Sequence, residues 1–327
     1  MSLFIIAIIV IIIYAFWNGF TDAANSISTI IGTRVLSPIK AVGLAAVGHL
    51  LGAFFGVAVA TTIGKGIINP ELITTHLVVA AIGGGMIWDI ITWIPGLPCS
   101  ESHVLIGGLV GAGIASAGFG VVNFRGVFEK VIIPMIFSPI IAVVITILIV
   151  GIVIRLFMGY HQSKLNKYFK NLQILSALFL SVMHGSNDGQ KAAGIFAAVL
   201  FSYGLISSFH IPVWVIVVTY LTISIGTFFG GWRIVKTIAF KVTNLKPYQG
   251  FCAETGAALI LGATSRFGLP VSTTHVISGS IVGVGISSHL GAVRWKVARD
   301  IVWAWLLTIP ASAFFAFILY CAIGIFI

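Results

Sequence analysis

Two aspartates lie inside stretches that are otherwise apolar, and each sits in a short polar island. The second island is His184-Gly185-Ser186-Asn187-Asp188-Gly189-Gln190-Lys191; the first is Asn18-Gly19-Phe20-Thr21-Asp22-Ala23-Ala24-Asn25. Gly19 aligns with Gly185 and Asp22 with Asp188. An isolated carboxylate at membrane depth costs about 2.5–3.5 kcal/mol even on the lenient insertion scale, so one in each half of a hydrophobic chain implies a partner or a task. Asp22, Thr21, Asn25, Asn187 and Asp188 offer oxygen ligands suited to small hard cations, with a sodium site expected at Asp22, Asn25, Asn187 and Asp188. Lys191 stands where the first copy has Asn25. Its fixed charge either replaces one cation there or snorkels to the interface.

A second chemistry comes from Gly96-Leu97-Pro98-Cys99-Ser100-Glu101-Ser102-His103 and its return as Gly268-Leu269-Pro270-Val271-Ser272-Thr273-Thr274-His275. Gly-Leu-Pro ends the preceding segment, and Ser100 or Ser272 is a good helix N-cap, so a helix should start at each turn. Helix N-termini attract anions. The hydroxyls of Ser100, Ser102, Ser272, Thr273 and Thr274 add donors for phosphate-type oxygens, and Gln190 and Lys191 are further candidate phosphate ligands. Because the aspartates repel the anion that the helix ends attract, the anion should bind poorly until cations or protons have neutralised them.

The elements that must carry these groups are membrane helices. Hydrophobic residues make up 59% of the 327 and charged residues 8%, with a mean hydropathy of +1.13, which excludes a soluble domain. The formal charge of +10 resides in short loops, so it points to orientation in a membrane rather than to nucleic acid. Residues 1–15 lead straight into the first island without a basic leader or a cleavage pattern, and are read as mature structure. Cys99, Cys252 and Cys321 have no paired spacing, so neither a metal cluster nor a disulfide framework is expected.

The chain repeats itself. Beyond the two turns, Gly52-Ala53-Phe54-Phe55-Gly56 returns as Gly226-Thr227-Phe228-Phe229-Gly230, and Gly107, Gly111 and Gly113 return as Gly279, Gly283 and Gly285. These glycine stripes are read as close helix packing. The order of the blocks predicts an all-α polytopic membrane protein made of two inverted-topology repeats, with broken helices and helical hairpins meeting at a midplane site. The first repeat covers 1–157, a basic cytoplasmic linker 158–171, and the second repeat 172–327. The island helices are expected to break, since the uncharged run from Asn171 to Met183 is shorter than the roughly 20 residues a span needs. Basic residues set the orientation. With an odd number of crossings per repeat, Arg34, Lys40, Arg155, Lys164, Lys167, Lys170, Arg233, Lys236, Lys241, Lys246, Arg294, Lys296 and Arg299 fall on one side, and Lys65, Arg125 and Lys130 on the other. The first side is then cytoplasmic and both termini are extracytoplasmic.

The two islands and the paired GLPxSxxH turns resemble the duplicated signature of the inorganic phosphate transporter (PiT) family, over essentially the whole chain. That resemblance implies a secondary active symporter in the cell membrane, importing inorganic phosphate on a cation gradient by alternating access. Sodium is the favoured cation; a proton-coupled phosphate or metal-phosphate symporter, or a sulfate transporter of the same family, is the alternative. Thr21 stands where many members have asparagine, and animal members carry an acidic residue near His49. The expected partners are phosphate, sodium and the lipid bilayer, with no cofactor and a homodimer as the assembly to test.

Among the remaining residues, Glu254, His103 and His275 are candidates for coupling. Asp89 and Glu101 are read as solvated residues near the first hairpin tip, and His49 and Arg266 are open. A hydrolase built on Ser102 and His103 is excluded, because neighbours on a helix point about 100° apart. A passive anion channel is the rival from another class, and it would have no use for paired carboxylates.

Overall fold

The computed structural model describes residues 2–325 and is helical throughout. The element order runs twice. In the first pass, α1 (Ser2–Gly32) is followed by α2 (Pro38–Gly52), α3 (Ala58–Gly66), α4 (Thr75–Trp93), α5 (Glu101–Ala117), a single turn α6 (Phe124–Val127) and α7 (Ile133–Leu156). The second pass gives α8 (Gln162–Ser202), α9 (Val213–Phe229), α10 (Trp232–Lys241), α11 (Pro247–Arg266), α12 (Thr273–Ser288) and α13 (Trp295–Ile325). Among the described residues, five helices are long and apolar enough to cross a membrane, or up to six if the bent pair α9 and α10 counts as one span.

The islands do not break their helices. α1 runs unbroken for 31 residues and α8 for 41, straight through Asp22 and Asp188. Neither island contains proline, and the polar side chains find partners on other helices, so the backbone has no reason to unwind. The break lies instead in the segment after each island. Gly56, between α2 and α3, has φ 104°, and Gly230, between α9 and α10, has φ 68° where the chain bends by 65°. Both close the repeated block that begins at Gly52 and Gly226. The left-handed conformation that glycine alone adopts freely explains why that block recurs.

The basic stretch 158–171 between the repeats is helical over most of its length. From Gln162 onward it forms the first turns of α8, because Leu165, Phe169 and Leu172 recur at helical spacing and pack on the core while the lysines face out. Phe169 is 2% exposed and its ring meets Phe157, Tyr248 and Phe251.

Two apolar cores flank the polar layer. One takes Ala7, Ile11 and Tyr14 from the start of α1 together with Ala192, Phe196 and Val199 from the end of α8. The other takes Ala24, Ile27 and Ile30 from the end of α1 and Ala177, Leu180 and Met183 from the start of α8. The two island helices therefore run past each other in opposite directions, with Asp22 and Asp188 between the cores. The repeats also exchange partners. α2 packs on α8 while α9 packs on α1, and α5 lies against α13 while α12 lies against α7.

The hairpin tips continue this exchange. The first tip is clamped by the second repeat: Arg233 on α10 donates to the Ile94 carbonyl at 2.9 Å, and its guanidinium lies 4.4 Å from the centre of the Trp93 ring. The second tip is clamped by the first repeat, where Thr62 on α3 donates to the Gly268 carbonyl at 2.8 Å. Each broken helix thus holds the hairpin of the other repeat.

The island glycines make the crossings possible. A Cβ on Gly19 would lie 2.1 Å from the carbonyl oxygen of Ile223 on α9, and one on Gly185 would lie 2.5 Å from the Cα of His49 on α2. Both neighbours are backbone and cannot rotate away. Gly19→Ala and Gly185→Ala should each destabilise the protein by at least the about 1–3 kcal/mol typical of overpacking. Gly43→Ala, which meets nothing within 4 Å, should be near neutral. Thermal unfolding in detergent checks the contrast, and an alanine at 19 or 185 that unfolds with wild-type protein would contradict this packing.

Candidate functional site

The GLPxS turns start helices as their sequence predicts. Ser100 caps α5 by accepting from the backbone N–H of His103 at 3.3 Å, and Ser272 caps α12 by accepting from that of His275 at 3.2 Å. The two helix starts meet. Ser102 donates to the Val271 carbonyl at 3.0 Å, and the rings of His103 and His275 are 4.9 Å apart, edge to face. Ser100, Ser102, Ser272, Thr273 and Thr274 are all at most 2% exposed, so their hydroxyls and the first turns of α5 and α12 converge in a region closed to solvent.

The carboxylates reach that junction from the island helices. Thr273 and Thr274 each donate to Asp22 at 3.4 Å, while their hydroxyl oxygens accept from the Asn25 amide at 3.2 and 2.9 Å. The first repeat's aspartate is thereby joined to the second repeat's helix N-terminus. The Asn25 Oδ1 is buried without a partner among the described residues. Asp188 lies in a different environment: Oδ2 is 3.0 Å from Nε2 of His184, and Oδ1 is 2.5 Å from the Lys191 ammonium. One carboxylate oxygen of Asp22, one of Asp188 and one ring nitrogen of His184 lie within 4.8 Å of one another.

His184 connects this cluster to a buried chain. Its Nδ1 is 2.7 Å from the Ser26 hydroxyl and 2.9 Å from Nε2 of His49, and Nδ1 of His49 is 2.8 Å from the Thr227 hydroxyl. His49 is thus a completely buried member of the network. Arg266, by contrast, is exposed. His184 escaped the sequence analysis although its place four residues before Asp188 puts both on one helix face, which is the signal that would have found it.

Several expected site residues turn elsewhere. Thr21 does not face Asp22; its hydroxyl lies 2.7 Å from Oε1 of Glu101. Asn187 donates to the Ser265 hydroxyl at 3.3 Å and weakly to the Leu269 carbonyl, which steadies the second tip, and its Oδ1 has no partner among the described residues. Gln190 uses both ends of its amide on backbone: Oε1 accepts from Val59 and Ala60 at 2.8 and 3.2 Å, and Nε2 donates to the Ser186 carbonyl at 2.6 Å. It caps the start of α3, whose own N-cap residue, Val57, has no side chain able to accept.

Asp89 and Glu101 are buried, 1% and 2% exposed, rather than solvated. The tip stays dry because α1 covers it: the Trp17 indole donates to Asp89, one turn before the Thr21 contact with Glu101, and Cys99 donates to Asp89 at 2.8 Å. Glu254 is fully buried on α11, held by Gln173 at 3.0 Å and by the Ser176 hydroxyl, both on α8. The ring of His275 stacks on Trp305 at 3.8 Å, and its Nδ1 faces the Met135 carbonyl at 3.4 Å.

A region with helix N-termini, clustered hydroxyls and two buried carboxylates suits an oxyanion accompanied by cations. Residues 18–316 match the model of the phosphate transporter family. The chain belongs to that family. Similar relatives are a probable low-affinity inorganic phosphate transporter of Rhizobium meliloti, 47% identical over 96% of this chain and 95% of the relative, and one so named of Bacillus subtilis, 42% identical over 98% of each. Among solved structures, a sodium-dependent phosphate transporter superposes with a TM-score of 0.90 at 26% identity, covering 100% of both chains. The family consists of membrane transport proteins rather than enzymes, in line with the resemblance of the islands and turns.

Replacing Gln190 separates its structural use from ligand binding. Gln190→Ala strands two buried backbone N–H groups and should cost about 1–3 kcal/mol of stability, whereas Gln190→Glu keeps the acceptor and should lose less. Thermal unfolding reads the difference. A Gln190→Ala protein of wild-type stability that has lost phosphate binding would return this residue to the ligand set.

Proposed function

We propose that the protein is a secondary active symporter that imports inorganic phosphate on a sodium gradient by alternating access. The observation that carries this reading is the junction at which Thr273 and Thr274 link the Asp22 carboxylate to the start of α12. Phosphate is bound by the first turns of α5 and α12 with Ser100, Ser102, Ser272, Thr273 and Thr274. Sodium is bound at Asp22 and the free oxygen of Asn25. Until the cation arrives, the uncompensated carboxylate opposes the anion; once it has arrived, the helix ends and hydroxyls dominate. Coupling follows from that order. The sodium dependence in the name of the structural neighbour supports the choice of cation.

The test is uptake of labelled phosphate into proteoliposomes. An imposed sodium gradient should drive accumulation, with arsenate competing and sulfate competing poorly, because phosphate and arsenate keep a proton that an acceptor such as Asp22 rewards. Asp22→Asn should lower coupled uptake at least tenfold in a protein that still folds. Downhill flux alone would indicate a channel, a proton requirement in place of sodium would change the driving ion, and sulfate competing as well as arsenate would move the chain to a sulfate branch. An Asp22→Asn protein with wild-type rate and cation dependence would refute the cation site.

The repeats are read as inverted in a cell membrane, with both termini extracytoplasmic. The opposed directions of α1 and α8 and the one-sided distribution of lysine and arginine support this. Cysteines introduced at Tyr160 and Phe240 should react only from the cytoplasmic face, and one at Asn123 only from outside. Opposite labelling of Tyr160 and Phe240 would rule the arrangement out.

A further inference from the structure

The two carboxylates of the site are equivalent in the repeat but not in their surroundings. Asp22 meets two threonine hydroxyls at 3.4 Å, and the nearest nitrogen of a basic side chain is Nε2 of His184, at 4.0 Å. One helical turn further along, the Asn25 oxygen is buried and has no partner among the described residues. An under-satisfied carboxylate beside an orphaned amide oxygen is a ligand set waiting for a hard cation. Asp188 has no such need. Both of its oxygens are engaged, one by Lys191 at 2.5 Å and the other by His184 at 3.0 Å.

Lys191 is what makes the difference. It occupies the register of Asn25, three residues after the aspartate, and so supplies a positive charge where the first repeat supplies a neutral oxygen. It does not snorkel. The residue is 1% exposed, among the largest completely buried side chains, and its ammonium points along its own helix to Asp188. A metal ion approaching Asp188 would have to displace that ammonium or sit beside a like charge in a region of low dielectric, and either is strongly unfavourable.

We propose that Lys191 is a built-in cation that permanently fills the position a transported ion takes at Asp22, so that one cation per cycle, not two, charges the paired carboxylate site. This deepens the symport reading and rests on it. Two carboxylates and one ammonium leave a single negative charge, which one monovalent ion at Asp22 neutralises before the anion enters. The charge moved per phosphate is smaller by one than in a site with asparagine in both repeats. Lys191 thereby sets the steepness with which uptake depends on the cation and the concentration ratio that the gradient can sustain.

The experiment compares the wild type with Lys191→Asn, which gives the second repeat the residue of the first. Fluxes of labelled sodium and phosphate are measured together in proteoliposomes, with proton flux read in place of sodium if protons prove to be the driving ion. The expected result is a rise of about one in the cation-to-phosphate ratio of this paired site, a steeper cation dependence of uptake, and a higher half-saturating cation concentration. An unchanged ratio and steepness would overturn the proposal. So would a fall of tenfold or more in phosphate affinity at saturating cation with no change in ratio, since that would make Lys191 a ligand of the anion. If Lys191→Asn does not fold, Lys191→Gln keeps more of the side-chain length, and sodium-dependent thermal stabilisation of the purified protein reads the number of binding steps without transport. A wild type that moves no phosphate would defeat the symport reading instead, while that stabilisation measurement would still decide the role of Lys191.

Discussion

Two like charges held close together in a dry interior constrain everything else in this protein. Atoms of Asp22 and Asp188 share a space no wider than 4.8 Å with His184, and two carboxylates about 4 Å apart repel by roughly 4 kcal/mol even at an effective dielectric of 20. The second aspartate is balanced by Lys191 from its own helix. The first is left to threonine hydroxyls, an amide and whatever cation arrives. That inequality turns a repeated architecture into an asymmetric site, and under the symport proposal it is why the anion would wait for its cation.

The close approach depends in turn on how the repeats interlock. Gly19 and Gly185 let α9 and α2 cross the island helices at backbone contact. The breaks at Gly56 and Gly230 release α3 and α10 to clamp the opposite hairpin tips. Gln190 belongs to the same framework: it spends its amide on the start of α3, so a residue next to the charged cluster serves the scaffold that holds the second hairpin tip. Neither repeat could build this site alone, since Asp22 of the first repeat is held by Thr273 and Thr274 of the second, and Asp188 lies beside Asp22.

Burial also decides which polar residues are part of the machinery. The histidines at 49 and 184, with Ser26 and Thr227, form a continuous buried chain that ends on Asp188. Asp89 and Glu101 form a separate buried acidic group beneath Trp17 and Thr21. Both sets lie against α1 from elements distant in sequence, and both surround the junction of the hairpin tips without belonging to the first turn of α12 that touches Asp22.

The sequence by itself determined the class, the duplication, the turns that start α5 and α12, and the pairing of Asp22 with Asp188. Those features depend on local physics: apolar length, a serine cap after Gly-Leu-Pro, and the cost of a charge in a bilayer. It misplaced the breaks, because a polar island looks like an interruption until its side chains are seen to find partners on other helices, whereas the glycine that does interrupt the chain is marked only by its backbone angle. It placed Asp89 and Glu101 in water because nothing in their neighbourhood along the chain reveals that α1 covers them. Whether Lys191 reaches the interface or turns back to Asp188 was likewise open, since a lysine's four-carbon stem permits both. Tertiary structure decided these points for one reason: burial and partnership come from residues far away in sequence, and only packing says which of the available partners a side chain meets.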